Sequence, residues 1–180
     1  KYKEVLAQEP NNVDALNLLG VVMHTAGDLE LAVELIFRAT ELAPDYAPAL
    51  INLGNALQAL GRPEDAVKKF ERALELDPGA AIAASNLASA LNDLALHEES
   101  RRAGERAVQL SSELPDAYVN LGNALLGLGR SEAAQAKYTA ALERDPHHPG
   151  AWFNLGNAHA DTGNFRAAVS SYTKAVQFDP

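Results

Sequence analysis

Pairs of mostly polar residues recur on either side of a Leu-Gly dipeptide, or of Leu-Ala in one copy. The members of a pair stand three residues apart, so in a helix they share one side. Most are asparagine, whose amide offers both a hydrogen-bond donor and an acceptor. Such a side chain can pair with a peptide backbone whatever the sequence of that peptide. The five pairs are Leu18/Val21, Asn52/Asn55, Asn86/Ser89, Asn120/Asn123 and Asn154/Asn157.

Few other residues could do chemistry, and none forms a catalytic constellation. His147 and His148 could touch a metal, but no second cluster of ligands accompanies them. We therefore interpret this segment as a solvated turn rather than a metal site. Trp152 and His159 are interpreted as packing residues. We predict a protein that is not an enzyme and that uses no metal and no cofactor.

The composition excludes several classes of partner. The net charge is -9, whereas nucleic acid and anionic membranes require a basic surface. No apolar run is long enough to cross a bilayer, and the absence of cysteine excludes disulfides. The chain opens with Lys1, without an initiator methionine, so we interpret the sequence as a piece of a longer chain. We expect a cytoplasmic location.

The elements that position the pairs repeat along the whole chain. Prolines at Pro10, Pro44 and Pro78 lie 34 residues apart, and the Leu-Gly pairs keep the same step. A fixed period of this length is typical of stacked repeats. Alanines hold a third series in the same register, at Ala39, Ala73, Ala107, Ala141 and Ala175.

Each period contains two amphipathic helices. Leu50, Leu53 and Leu57 recur at helical spacing, and Gly61 ends the first helix. Pro63 suits the first turn of the second helix, where its missing N–H would be unpaired anyway. Other periods begin this second helix with residues that favour the N-cap position. These residues are Asp28, Ser131 and Asn164.

A helix–turn–helix of this length, with W-x2-L-G-x2-Y, A-x3-F and a closing proline, resembles the tetratricopeptide repeat. The fifth period carries the pattern at Trp152, Leu155, Gly156, His159, Ala168, Tyr172, Ala175 and Pro180. The resemblance implies an all-α, right-handed α-solenoid whose first helices line a concave surface. Small residues at Gly54 and Ala66 let paired helices approach, and Phe70 fills the gap to the next pair. The resulting division is a half repeat at 1–12 and repeats at 13–46, 47–80, 81–114, 115–148 and 149–180.

The first members of four pairs resemble a narrower group, the repeat region of O-linked N-acetylglucosamine transferases and their bacterial relatives. That resemblance implies an asparagine ladder that holds substrate peptides by the backbone. The ladder here consists of Asn52, Asn86, Asn120 and Asn154. Packing explains the neighbouring leucines and glycines but gives the asparagines no task, so we assign both members of these four pairs to peptide binding. The open alternative is that the asparagines are inherited consensus on a solvent-exposed face. Neighbouring helices about 8–10 Å apart would present one asparagine to roughly every third residue of an extended peptide.

Another binding mode of the family is disfavoured. Chaperone-binding members grip a terminal carboxylate with lysines and an arginine, but no first helix from Val13 onward carries Lys or Arg before its turn. We therefore expect no tight binding of acidic chaperone tails. The corresponding positions hold residues such as Pro48, Ile51, Ile82, Ser85, Asn86 and Asn120.

The third repeat departs most from the pattern. Gly104 takes the place of an aromatic residue and lowers helix propensity by about 1 kcal/mol relative to alanine. We predict that this repeat is the least stable one and that the array bends there. Its other departures are Ala84, Ala88, Ala95, Ser100 and Ser112.

The sequence predicts a protein-interaction scaffold that binds an extended partner segment in an asparagine-lined groove. Two alternatives stay open. The chain could be the substrate-recruiting arm of a larger enzyme such as a glycosyltransferase. It could instead self-associate end to end, because solenoids need polar caps and apolar residues stand at both ends. These are Tyr2 and Val5 at one end and Val176 and Phe178 at the other.

Overall fold

A computed structural model describes residues 2–179, without the side chain of Lys3. Within that range there are eleven helices and no strand, which confirms the predicted all-α solenoid class. The helices are α1 (Tyr2–Gln8), α2 (Val13–Thr25), α3 (Leu29–Leu42), α4 (Ala47–Ala59), α5 (Pro63–Leu76), α6 (Ala81–Asp93), α7 (His97–Leu110), α8 (Pro115–Gly127), α9 (Ser131–Arg144), α10 (Pro149–Asp161) and α11 (Phe165–Phe178).

The turn between the two helices of each repeat needs a left-handed backbone. Glycine adopts this conformation without a steric penalty, and four repeats use it. The third repeat has Ala95 there, with φ 56°. The glycines are Gly27 (φ 83°), Gly61 (φ 77°), Gly129 (φ 72°) and Gly163 (φ 76°).

Two of the three predicted N-caps are present. Asp28 and Asn164 accept hydrogen bonds from backbone N–H groups in the first turns of α3 and α11. The prediction for Ser131 is wrong, because the carbonyl of Arg130 already accepts the first helical bond and Ser131 is the first residue of α9. Pro63 is the first residue of α5, as predicted.

The chain divides into two units, residues 1–86 and 87–180, with the boundary inside α6. In the first unit, α4 and α5 pack through Gly54 and the fully buried Phe70. A Cβ on Gly54 would lie 2.5 Å from the Phe70 ring, so this position requires glycine. The prediction that Gly54 lets the paired helices approach is confirmed in this repeat, whereas the packing of Phe70 against Gly54 inside the same pair was not predicted.

In the second unit the same arrangement occurs twice, with tyrosine as the aromatic residue. A Cβ on Gly122 would lie 2.5 Å from the ring of Tyr138, and one on Gly156 would lie 2.5 Å from that of Tyr172. Tyr138 is fully buried. Because the glycine admits the ring, each hairpin closes around one large side chain.

The third repeat closes its hairpin differently. Ala88 and Gly104 occupy the positions of glycine and aromatic residue, and the Ser100 hydroxyl donates to the Ala88 carbonyl at 2.8 Å. A Cβ on Gly104 would come within 3.0–3.3 Å of Leu121, including its Cα and backbone N. The backbone of α8 therefore lies directly against Gly104. The predicted low stability of this repeat stays a prediction.

Candidate functional site

The eight residues assigned to peptide binding lie along the first helices, and all are half-buried. Each helix carries its pair on one side, near the middle of its length. In the first repeat, Leu18 takes the ladder position and is 42% exposed. The eight are Asn52 and Asn55 on α4, Asn86 and Ser89 on α6, Asn120 and Asn123 on α8, and Asn154 and Asn157 on α10.

In the first unit, asparagine side chains of consecutive repeats hydrogen-bond to each other. The Asn86 Nδ2 donates to the Asn55 Oδ1 at 2.7 Å. The Asn52 Nδ2 donates to the Asn17 Oδ1 at 3.0 Å. The ladder residue of one repeat therefore reaches back to an asparagine of the preceding repeat. We call each such contact an amide bridge.

The second unit contains the same bridge, supported by tyrosine. The Asn154 Nδ2 donates to the Asn123 Oδ1 at 2.9 Å, and the Tyr138 hydroxyl donates to that same oxygen at 2.9 Å. The Tyr172 hydroxyl donates to the Asn157 Oδ1, also at 2.9 Å. These tyrosines are the aromatic residues that pack on the hairpin glycines. The aromatic ring thus fixes both the hairpin and the amide.

Burial, together with the carboxylate of Asp161, raises the pKa of Tyr138 well above its usual range. The hydroxyl therefore stays protonated and remains a donor to Asn123 at any physiological pH. In the second repeat the equivalent residue is Phe70, which has no hydroxyl, so Asn55 is held without this support.

The expectation that packing gives the paired asparagines no task is wrong. They link consecutive repeats, because a buried or half-buried amide is stabilised when another amide satisfies it. The bridge engages one atom of each side chain. In the Asn55–Asn86 bridge, the Oδ1 of Asn86 and the Nδ2 of Asn55 take no part. The first is a hydrogen-bond acceptor and the second is a donor.

Sequence reasoning missed Asn17 and the two tyrosines. Asn17 lies one residue before the ladder position and is only 3% exposed. Tyr138 and Tyr172 each stand 15 residues after the asparagine that they contact, on the second helix of the hairpin, so no periodicity within one helix pairs them. Their recurrence at the 34-residue step, always opposite an asparagine, was the available signal.

Asn120 lies on α8, in the second unit, and holds the ladder position there. Its backbone carbonyl accepts a hydrogen bond from the Asn92 Nδ2 at 3.0 Å, which ties α8 to α6. Asn120 and Ser89 both have further partners. The structure places them at the expected register, and their role in binding stays a prediction.

The histidines of the inter-repeat turn have structural contacts. The His148 Nδ1 accepts the backbone N–H of Ala151 and so caps α10, while its Nε2 lies 3.0 Å from the Asp116 Oδ1. The Asp116 carboxylate raises the pKa of His148, and the hydrogen bond from His148 lowers the pKa of Asp116. The His147 backbone N–H donates to Asp145. This contact set connects α8 to α10.

Trp152 also has a structural environment. Its Nε1 donates to the Pro146 carbonyl at 2.9 Å, and the Lys174 ammonium lies 4.0 Å from its ring centroid. Because both the indole N–H and the ring face are engaged, the residue packs as the sequence indicated. Among residues 2–179, no helix is long and apolar enough to span a membrane.

Three segments of the chain match the tetratricopeptide-repeat family: residues 1–34, 47–80 and 119–180. The repeats are tetratricopeptide repeats. Comparison with curated protein sequences gave no significant match.

Solved structures of tetratricopeptide-repeat proteins share the fold. MamA is 26% identical, with a TM-score of 0.72 over 89% of this chain and 94% of its own. YrrB, a tetratricopeptide-repeat protein with an unusual peptide-binding site, is 23% identical, with a TM-score of 0.69 over 100% of this chain and 93% of its own. TTC0263, a protein of Thermus thermophilus, is 20% identical, with a TM-score of 0.84 over 93% of this chain and 92% of its own.

Proposed function

We propose that the chain is a protein-interaction scaffold whose asparagine ladder holds an extended partner segment by its backbone. The observation that carries this proposal is the amide bridge. The Asn55–Asn86 and Asn123–Asn154 bridges each leave over one hydrogen-bond acceptor and one donor, and these are the two kinds of group that pair with the N–H and C=O of a peptide backbone. The bridge also fixes both side chains before the partner arrives, so less rotamer entropy is lost on binding.

The chemistry of the ladder favours backbone recognition over charge recognition. No first helix from Val13 onward contributes a lysine or arginine before its turn, and the amides are neutral. We therefore expect binding that tolerates many peptide sequences and that changes little with salt. Acidic tails without other contacts would find donors but no cation to stabilise them.

The test replaces the leftover donor while keeping the bridge. Asn55→Asp and Asn123→Asp retain the Oδ1 that accepts from Asn86 or Asn154, but they exchange the Nδ2 donor for a second oxygen. A peptide of alternating serine and threonine with blocked termini and an uncharged boron-dipyrromethene label serves as the probe. We expect the double variant to bind it at least about tenfold more weakly, because each peptide carbonyl then faces an oxygen.

The matched control is Tyr138→Phe. It removes a hydrogen bond to Asn123 from inside the hairpin and leaves the outward donor intact. We expect this variant to lose stability but to keep the affinity for the probe. Equal affinity of the wild type and the double aspartate variant would contradict backbone binding by the ladder.

Self-association through the exposed face of α11 is a second candidate. Val176 is 66% exposed, whereas its register equivalents Leu74 and Leu142 are buried at 6% and 8%. Phe165 and Val169 lie on the same face of α11 and are 69% and 65% exposed. We expect Val176→Glu to suppress any association that light scattering detects at rising concentration, and unchanged association would exclude this face. Recruitment of substrates for an enzyme stays a prediction.

A further inference from the structure

An exposed aromatic residue stands apart from the ladder, on the second helix of the first repeat. Phe37 on α3 is 46% exposed. The other four repeats carry a polar residue at this register position. These residues are Glu71, Glu105, Thr139 and Thr173. Both neighbours of α3 in the first unit, α2 and α4, are present, so the exposure of Phe37 is not that of an open end.

Phe37 borders a cavity of about 380 Å³ between α3 and α5. The floor is Leu53 and Leu57 of α4, and Val33 adds to the apolar wall on α3. Asn55 stands two residues from each of these leucines. Residues two apart do not share a helix face, so the cavity and the ladder use different sides of α4.

The rim of the cavity is cationic on a chain that is strongly acidic overall. Arg62, Lys68 and Lys69 line it, against the acidic Asp65 and Glu34. Asp65 is already engaged, because Arg62 and Lys68 contact its carboxylate at 2.6 and 3.1 Å. The hydrogen bonds from Arg62 and then Lys68 lower the pKa of Asp65, so this carboxylate stays charged and remains paired.

The equivalent place in the second unit is built differently. Gln135 takes the register position of Val33, and its Nε2 donates to the Ala158 carbonyl at 2.8 Å and to the Thr162 hydroxyl at 3.0 Å. Thr139 takes the position of Phe37. A polar side chain therefore bridges the helices where the first unit presents apolar surface. The cavity is therefore not a consequence of the repeat pattern alone.

We propose that this cavity is a second docking site, for an acidic amphipathic segment of a partner protein. An aliphatic or aromatic side chain of that segment enters between Phe37 and the two leucines. Carboxylates beside it meet Lys69 and the exposed rim cations, so the charge of the rim complements the partner. The side chains of Arg62 and Lys68 are 53% and 69% exposed, so the rim faces water and suits a ligand that continues along the surface.

The test uses two short fluorescein-labelled peptides, one alternating leucine with pairs of glutamates and the other with lysine in place of glutamate. Fluorescence anisotropy gives their affinities for the whole chain. We expect the glutamate peptide to bind, with an affinity that falls as salt rises, and the lysine peptide to bind at least about tenfold more weakly. Equal binding of the two peptides would overturn the proposal.

Each variant has a matched control at the same register in the second unit. Phe37→Glu should weaken binding of the glutamate peptide by at least about tenfold, whereas Thr139→Glu makes the same acidic residue and should change it less than about twofold. Lys69→Glu should likewise weaken binding, whereas Lys137→Glu should not. Circular dichroism verifies the helicity of every variant. Equal effects within either pair would overturn the assignment to this cavity.

Two further measurements distinguish the cavity from the ladder and from a small-molecule site. The Asn55→Asp, Asn123→Asp variant should bind the glutamate peptide like the wild type, since the ladder lies on another side of α4. A loss of binding there would mean that the peptide uses the ladder instead. Complete displacement of the peptide by an equal concentration of decanoate would replace the proposal with a site for small anionic amphiphiles.

Discussion

Ala95 holds the turn of the third repeat at φ 56°, where the other four repeats use glycine. In this left-handed region the Cβ comes too close to the following carbonyl oxygen, which costs about 1–2 kcal/mol for an L residue. Glycine removes that cost but adds about 0.5–1 kcal/mol of backbone entropy. We therefore expect Ala95→Gly to raise the free energy of unfolding by about 0.5–1 kcal/mol.

The reverse change at the same register is the control. An added Cβ on Gly61 meets no other atom within 4 Å, so Gly61→Ala acts through backbone conformation alone. We expect it to lower the free energy of unfolding by about 1 kcal/mol, with no change in the helices on either side.

Urea denaturation measures both changes. The slope of the unfolding free energy against urea concentration should stay the same, which tests that the surface exposed on unfolding is unchanged. Hydrogen exchange then locates the effect, because a repeat array does not unfold as one cooperative unit in every case. Amides of α6 and α7 should exchange more slowly in Ala95→Gly than in the wild type. A neutral or destabilising Ala95→Gly, beside a destabilising Gly61→Ala, would refute the assignment of strain to Ala95.

Three further predictions concern packing, hydrogen bonding and pH. Gly104→Ala should destabilise the chain by up to about 2 kcal/mol in urea, because a Cβ 3.0–3.3 Å from Leu121 costs about 1–3 kcal/mol and the gain in helix propensity offsets only about 1 kcal/mol of it. A stabilised variant would contradict this. Tyr138→Phe should cost about 1 kcal/mol in the same assay through its lost hydrogen bond to Asn123, and no loss would show that this bond contributes nothing. Asp116→Asn should cost no more than about 0.5 kcal/mol, because the Asp116 side chain is 66% exposed and solvent screens its pair with His148. The contribution of Asp116 is lost as pH falls through its lowered pKa, and that of His148 is lost as pH rises through its raised one. The difference from the wild type should therefore be largest between about pH 4 and 6.5, and a pH-independent difference would contradict the pairing.

The helices were predictable because their signals are local. The spacing of leucines, the turn glycines and Pro63 act within one helix or one turn, and the structure begins and ends its helices accordingly. The need for a small residue at Gly54 was also predictable from the repeat pattern, but the packing of Phe70 against Gly54 was not, because the two residues lie on different helices. The error at Ser131 is of a different kind, since good N-cap chemistry does not decide which residue accepts the first helical bond.

The role of the asparagines could not be predicted from spacing alone. The bridge between Asn55 and Asn86 joins residues 31 positions apart, so it depends on how α4 and α6 approach. Asn17 is one residue out of the ladder register, yet it is the partner of Asn52. Within one helix these residues have no visible partner, so the sequence offered only a binding role or inherited consensus on a solvent-exposed face. The three-dimensional contacts add a second role, which is the linkage of repeats.

The cavity beside Phe37 shows the same limit. Phe37 is conspicuous in the sequence only when the five repeats are aligned, because the other four repeats then show a polar residue at its position. The cationic rim of the cavity comes from α5 and the residue just before it, and its floor comes from α4, so three helices must be in place before the site exists. Local patterns therefore gave the scaffold, while the surfaces that distinguish one repeat from another required the structure.

Peptide binding by the ladder is tested most directly by the side-chain amide resonances of the isotope-labelled protein. The alternating serine–threonine peptide is titrated in, followed by the same peptide with its backbone N–H groups methylated. We expect the amide resonances of Asn86 and Asn154 to shift with the first peptide and to stay in place with the second, because their Oδ1 atoms are the leftover acceptors and the second peptide keeps its side chains but loses its backbone donors. Unmoved amide resonances during binding of the first peptide, or equal shifts with both peptides, would contradict recognition of the backbone by the ladder.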